Sequence, residues 1–137
     1  MRLTFSKQGD YAVRAMLALA GAETGTWLSV TRISAAMAIP ERVLPRVMRD
    51  LDAAALVEAR TGRTGGYRLA RPASSITLLD VIAAADPEDD EHRCVLRGIP
   101  CGVDGRCAVH DVFAEARAAL GERLARTTLE ELTAAGR

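Results

Sequence analysis

The stretch IPERVLPRVMRDLDAAALVEARTGRTGGYRLAR, residues 39–71, decides the fold. Ile39-Pro40 must end any helix that precedes it, because proline disfavours helical geometry in the residue before it. A new helix is expected from about Glu41, with Val43, Leu44, Val47 and Leu51 on its buried face. Pro45 fits that helix only in the first turn, where a missing N–H costs little. Arg42, Arg46 and Arg49 follow at i, i+4 and i+7, so they share a different face. Beyond them, Leu56–Arg60 and Tyr67–Ala70 read as short strands around the Gly-rich turn Thr61-Gly62-Arg63-Thr64-Gly65-Gly66, which makes a β-hairpin.

Toward the N-terminus, residues 9–21 predict a helix, since Val13, Met16, Leu17 and Ala20 recur on one 3.6-residue face. Gly21 and the segment Glu23–Trp27 end it. Ser29 has the chemistry of an N-cap, and Val30, Ile33 and Met37 form a short apolar stripe behind it. Three helices followed by a basic hairpin is the order of a winged helix-turn-helix. The expected class is therefore mainly α with a small β-hairpin. In that arrangement the third helix enters the major groove of double-stranded DNA, and the wing reaches a neighbouring groove. Arg42, Arg46 and Arg49 are the candidate major-groove contacts. The alternative is a solvated face with Glu41 and Asp50 as ion-pair partners. Arg60 and Arg63 in the wing are candidates for the narrower groove or phosphate, and Tyr67 for packing the wing. Thr31 and Arg32 stand near a helix N-terminus, whose dipole favours phosphate.

Toward the C-terminus, Thr77-Leu-Leu-Asp80 is a capping box leading into Val81, Ile82 and Ala85. The acidic run Asp86–Glu91 contains a proline and reads as a loop. From Ala108 to about Arg126, Val109, Val112, Phe113, Ala116, Leu120 and Leu124 make a long helical stripe. It is too apolar to face water, so a partner helix is expected. Thr128-Leu-Glu-Glu131 caps a last short helix, with Ala134–Arg137 expected to fray. The organisation expected is a DNA-binding domain over 1–72, a linking helix and cysteine loop over 73–107, and a dimerisation helix with a short last helix over 108–137.

The 137 residues suit one domain or one domain plus an oligomerisation element. Hydrophobic residues at 49% supply a core. No apolar run approaches the ~20 residues that span a bilayer. Lys7 and Asp10 interrupt the place where a signal peptide needs its apolar stretch, so a soluble cytoplasmic protein is expected. Net charge is zero but unevenly spread. Residues 1–72 carry 11 Lys+Arg against 6 Asp+Glu, and residues 73–137 carry 7 against 12. A basic half followed by an acidic half suits a phosphate backbone. No P-loop, dinucleotide fingerprint or C-x-x-C pair is present, so no enzyme is expected.

All three cysteines, Cys94, Cys101 and Cys107, lie in HRCVLRGIPCGVDGRCAVH, residues 92–110. An odd number cannot all pair within the chain. Three thiolates that converge on one point require a soft metal or an iron–sulfur cluster. Gly98, Gly102 and Gly105 would let a loop wrap around such a centre, and Arg93, Arg97 and Arg106 would favour thiolate over thiol. Taken alone, the loop admits an iron–sulfur cluster, a structural zinc ion, or three unrelated cysteines.

In order, MRLT, GDYAVRAM, IPERVLPRVMRDLDAAALV, TGRTGGYRLAR, ITLLDVIAAA and the three-cysteine loop resemble the family of winged-helix iron–sulfur regulators that includes IscR, NsrR and RirA. The resemblance covers essentially the whole chain. Ala55 departs from it, standing where a glycine is common before the wing. The resemblance implies a homodimeric regulator of transcription, mostly repressing, on a two-fold symmetric operator. It implies that Cys94, Cys101 and Cys107 hold a 2Fe–2S or 4Fe–4S cluster that senses nitric oxide, iron or redox state. It offers two fourth ligands. One is His110, three residues after Cys107, as in the IscR-like pattern. The other is Asp10 of the partner subunit, as in the NsrR-like pattern. A histidine raises the potential of a two-iron cluster, whereas a carboxylate leaves a labile position. His92 is read as a loop residue. The other reading is a winged-helix module with a structural zinc site and no sensing role.

Overall fold

The computed structural model describes residues 1, 3–86, 94–96 and 107–135. Helix α1 (Lys7–Gly21) starts two residues before the helix expected over 9–21, because Ser6 caps it: its Oγ accepts from the Gly9 N–H at 3.0 Å. Ala12, Val13, Ala15, Met16 and Leu19 form its buried face. Helix α2 (Val30–Met37) is capped as expected by Ser29, which accepts from the Arg32 N–H at 3.2 Å. It ends at Ala38, whose φ of 53° is left-handed.

The recognition segment does not begin as an α-helix at Glu41. Glu41–Val43 form a 3-10 turn, and helix α3 (Leu44–Ala53) follows, with Pro45 in its first turn where it displaces no hydrogen bond. Leu44, Val47, Met48 and Leu51 are buried. The chain leaves α3 through Ala55, at φ 58°. The hairpin is slightly shorter than the sequence pattern: β1 (Val57–Arg60) pairs antiparallel with β2 (Gly66–Leu69), Val57 facing Leu69 and Arg60 facing Gly66. Leu28 extends this ribbon on the other side, exchanging backbone bonds of 2.9 and 2.8 Å with Tyr67. Gly66 allows the approach, since a Cβ there would lie 2.3 Å from the Leu28 carbonyl oxygen.

Both halves of the capping box form at helix α4 (Leu78–Ala85): Thr77 Oγ1 accepts from the Asp80 N–H, and the Asp80 carboxylate accepts from the Thr77 N–H. Helices α5 (His110–Arg126) and α6 (Leu129–Ala135) complete the chain. Although α6 follows α5, it returns to the N-terminal core. Leu129 is fully buried, and backbone bonds of 2.8 and 2.9 Å tie Leu78 to Thr127 and Leu129 to Ile76. The core thus joins α1, α2, α3, the hairpin, α4 and α6, with Met16, Ile33, Leu44, Met48, Leu56, Ile76, Val81 and Leu129 at its centre. Helix α5 buries none of its residues, and Val112 is 66% exposed. The fold is mainly helical with a two-stranded hairpin, as the sequence predicts. No helix among the described residues is long and apolar enough to cross a membrane. The acidic run from Pro87 to Glu91, and Gly136 and Arg137, lie outside the described residues.

Candidate functional site

Arg42 on the 3-10 turn and Arg46 and Arg49 on α3 are exposed, on the side away from the buried Leu44, Val47, Met48 and Leu51. None of the three makes an ion pair or hydrogen bond with another described residue. The expected competitors do not take them. Glu41 accepts instead from Thr31 Oγ1 at 2.6 Å, and the Asp50 carboxylate pairs with none of them. Thr31 therefore ties the start of α2 to the start of the recognition turn, and Arg32 is exposed beside it. Three cations on one face, uncompensated by local carboxylates, form a surface that attracts phosphate and can read guanine.

The wing divides its arginines. Arg63, in the turn, is exposed and has no partner among the described residues. Arg60 folds back: its guanidinium lies 4.4 Å from the centroid of the Trp27 ring and donates to the Thr64 carbonyl. Arg68 lies 4.3 Å from the same centroid and pairs with Glu58 at 2.7 Å. Tyr67 packs against the core, as expected of a wing-packing residue. Trp27 is the residue that sequence reading passed over. It sits in the α1–α2 loop, outside any periodic stripe, and meets the wing only through the fold.

At the cysteine segment, Cys94 is 5% exposed and Cys107 is half-buried; neither is in a disulfide. Cys101, His92, the flanking Arg93, Arg97 and Arg106, and Gly98, Gly102 and Gly105 lie outside the described residues. His110 is half-buried at the head of α5, and its backbone N–H donates to the Cys107 carbonyl at 3.1 Å. Among the described residues no three His, Cys, Asp or Glu side chains come together as a metal site. The donor types themselves, cysteine sulfur and histidine imidazole, are of the kind that iron–sulfur clusters and zinc take.

Asp10 lies elsewhere. It pairs with Arg14 at 2.6 Å, and Arg14 donates to the Met37 carbonyl at 2.6 Å and stands 5.3 Å from the Tyr11 ring centroid. Asp10 also lines an apolar groove with Leu3, Phe5, Ile82, Leu120 and Leu124. At about 1.5 Å per residue, Leu120 is roughly 15 Å along α5 from His110. Within one chain, then, Asp10 faces the far half of α5 and not its cysteine end.

The profile of the Rrf2 family, described as iron-dependent transcriptional regulators, matches residues 5–135. The chain belongs to the Rrf2 family. Among its relatives, the protein named as the HTH-type transcriptional regulator Rv1287 of Mycobacterium tuberculosis is 34% identical over 130 residues, covering 95% of this chain and 81% of the relative. The HTH-type transcriptional regulator IscR of Vibrio campbellii is 34% identical over 132 residues, covering 96% and 77%. Among solved structures, CymR, the global cysteine regulator of B. subtilis, superposes with a TM-score of 0.82 at 26% identity, over 99% of this chain and 100% of that one. This Rrf2 chain is thus a DNA-binding transcriptional regulator, and its relatives are regulators and not enzymes. The resemblance to the family of IscR, drawn from motif order, is confirmed.

Proposed function

We propose that this Rrf2 protein is a cytoplasmic homodimeric repressor whose operator affinity is set by an iron–sulfur cluster on Cys94, Cys101 and Cys107. The observation that carries the operator reading is the uncompensated face of Arg42, Arg46 and Arg49 beside the exposed Arg63. Arg32 by its side chain, and Thr31 by its backbone N–H since its hydroxyl is given to Glu41, add phosphate contacts at the start of α2. Supporting the dimer, Val112 and Leu120 are 66% and 44% exposed on a helix that fully buries none of its residues within its own chain. Two copies of α5 paired antiparallel place the cysteine end of each beside Asp10 of the partner subunit. His110 is the fourth-ligand candidate from the same chain as the cysteines.

When bound, an iron–sulfur cluster supplies a centre that nitric oxide, oxidants or iron supply can alter. The chain's own residues relay that state. Asp10 is linked to Arg14, and Arg14 to the Met37 carbonyl at the end of α2, so a change in what Asp10 holds alters a contact inside the helix-turn-helix. The result is a shift between two poses of the DNA-reading unit.

The test is anaerobic absorption and Mössbauer spectroscopy of protein from iron-57-fed cells, with iron and zinc quantified. Iron–sulfur parameters support the reading, and the pattern separates 2Fe–2S from 4Fe–4S. Repeating the spectra on His110→Ala and Asp10→Ala identifies the fourth ligand. Stoichiometric zinc without iron would replace the sensor by a structural zinc site.

A further inference from the structure

We propose that Trp27 is the positioning residue of the wing, acting on DNA binding through Arg63 without touching DNA itself. This rests on the operator reading above and concerns how the wing is presented. Without a brace, the five residues 61–65 between β1 and β2 form a turn held by strand pairing at its ends and by one internal bond, from the Gly65 N–H to the Gly62 carbonyl at 3.1 Å. Three contacts fix it here. Arg60, the last residue of β1, stacks against Trp27 and donates across the turn to the Thr64 carbonyl. Arg68 on β2 stacks against the same ring and is held by Glu58 on β1. Leu28, next to Trp27 in the chain, is hydrogen-bonded in both directions to Tyr67 of β2. Trp27 is therefore anchored to the wing by its backbone neighbour and clamps both strands through their guanidiniums.

The consequence is a division of labour. The guanidinium of Arg60 is committed to the ring and the turn, so it shapes the wing. Arg63, exposed and unpaired among the described residues, is the cation left to meet phosphate or the narrow groove. A cation–π stack of this kind gains strength as it is shielded from water, and Trp27 is half-buried.

The probe is a duplex enriched by the wild-type protein from a random pool under anaerobic conditions. Its Kd is read by anisotropy for Trp27→Ala, Trp27→Phe, Arg63→Ala, Arg46→Ala and the Trp27→Ala double variants with each arginine change. Trp27→Ala is expected to weaken binding about tenfold. Trp27→Phe should recover most of that loss, since phenylalanine keeps an aromatic face. In the Arg63→Ala background Trp27→Ala should add almost nothing, whereas in the Arg46→Ala background it should cost its full factor. Full additivity with Arg63→Ala, or a phenylalanine variant as weak as the alanine one, overturns the proposal. If circular dichroism shows that Trp27→Ala does not fold, Arg60→Ala takes its place and must show the same dependence on Arg63. Should the wild-type protein enrich no duplex, the operator reading itself falls and takes this inference with it. Enrichment followed by additivity sinks this inference alone.

Discussion

Replacing Gly66 by alanine should unfold the wing from the body of the protein, and the cost can be worked from the backbone. A Cβ at this position, where φ is +145°, would lie 2.3 Å from the oxygen and 2.5 Å from the carbon of the Leu28 carbonyl, and 2.9 Å from the Ser29 nitrogen. All three are backbone atoms, so no side chain can swing aside. Strand β2 must move off Leu28, breaking the bonds of 2.9 and 2.8 Å between Leu28 and Tyr67. Each is worth about 1 kcal/mol net, and the unusual φ adds about 1–3 kcal/mol for any residue with a side chain. The expected loss is about 3–5 kcal/mol. Gly62→Ala is the matched control. Its φ is +100°, but a Cβ there meets nothing within 4 Å, so only the conformational part remains. The alanine effect on the unfolded chain is the same at both sites and cancels in the comparison. Urea unfolding, followed by far-UV circular dichroism and by the emission of Trp27, the sole tryptophan, measures both variants. A Gly66→Ala variant that costs no more than Gly62→Ala would refute the claim that Leu28 and β2 are locked together through this glycine.

Ala55→Gly should stabilise the protein by about 0.5–1 kcal/mol, because relief of a left-handed alanine at φ 58° outweighs the added freedom of the unfolded chain; a higher urea midpoint is the readout. Ser29→Ala removes the oxygen that accepts from the Arg32 N–H and should cost about 1 kcal/mol, seen as a lower midpoint. Arg46→Ala should lower the slope of log affinity against log salt by about 1 if Arg46 contacts a phosphate. If it reads guanine instead, discrimination at one base pair should fall, which a panel of single-substituted duplexes measures.

Where one residue's local chemistry decides an element, the sequence was sufficient. Ser29 and the Thr77–Asp80 pair cap the helices they were expected to cap, and Pro45 occupies a first turn. The start of α1 is not legible from the apolar stripe, because Ser6 lies outside it and the cap, not the stripe, sets where the helix begins. The arginine face of α3 was legible as a face; only packing could show that Glu41 turns to Thr31 and leaves the arginines unpaired. Trp27 was invisible for a similar reason. Its partners Arg60 and Arg68 are more than thirty residues away, and no local pattern links a loop aromatic to a hairpin that folds back on it. The return of α6 to the core was likewise hidden. Leu129 looks like any leucine in a short terminal helix until the Ile76–Leu78 segment is seen to bond with the chain before it.

The two parts of the proposed mechanism meet at Arg14. Its ion pair with Asp10 is 31% and 45% exposed on the two side chains, so it contributes little to stability on its own, about 0.2–1 kcal/mol. The bond to the Met37 carbonyl has a clearer structural role, since it satisfies an acceptor at the end of α2 just before the chain turns left-handed at Ala38. One guanidinium thus holds a helix end with one nitrogen and a replaceable carboxylate with another. Drawing Asp10 toward the partner subunit's cluster costs the protein only that weak pair, and it frees the Arg14 guanidinium to shift against the Met37 carbonyl that it holds. A lysine could not span both sites, because it presents a single point of charge in place of a planar fork. In the proposed reading this asymmetry makes the junction a suitable coupling element. It is strong where it grips the DNA-reading unit and weak where it can be exchanged.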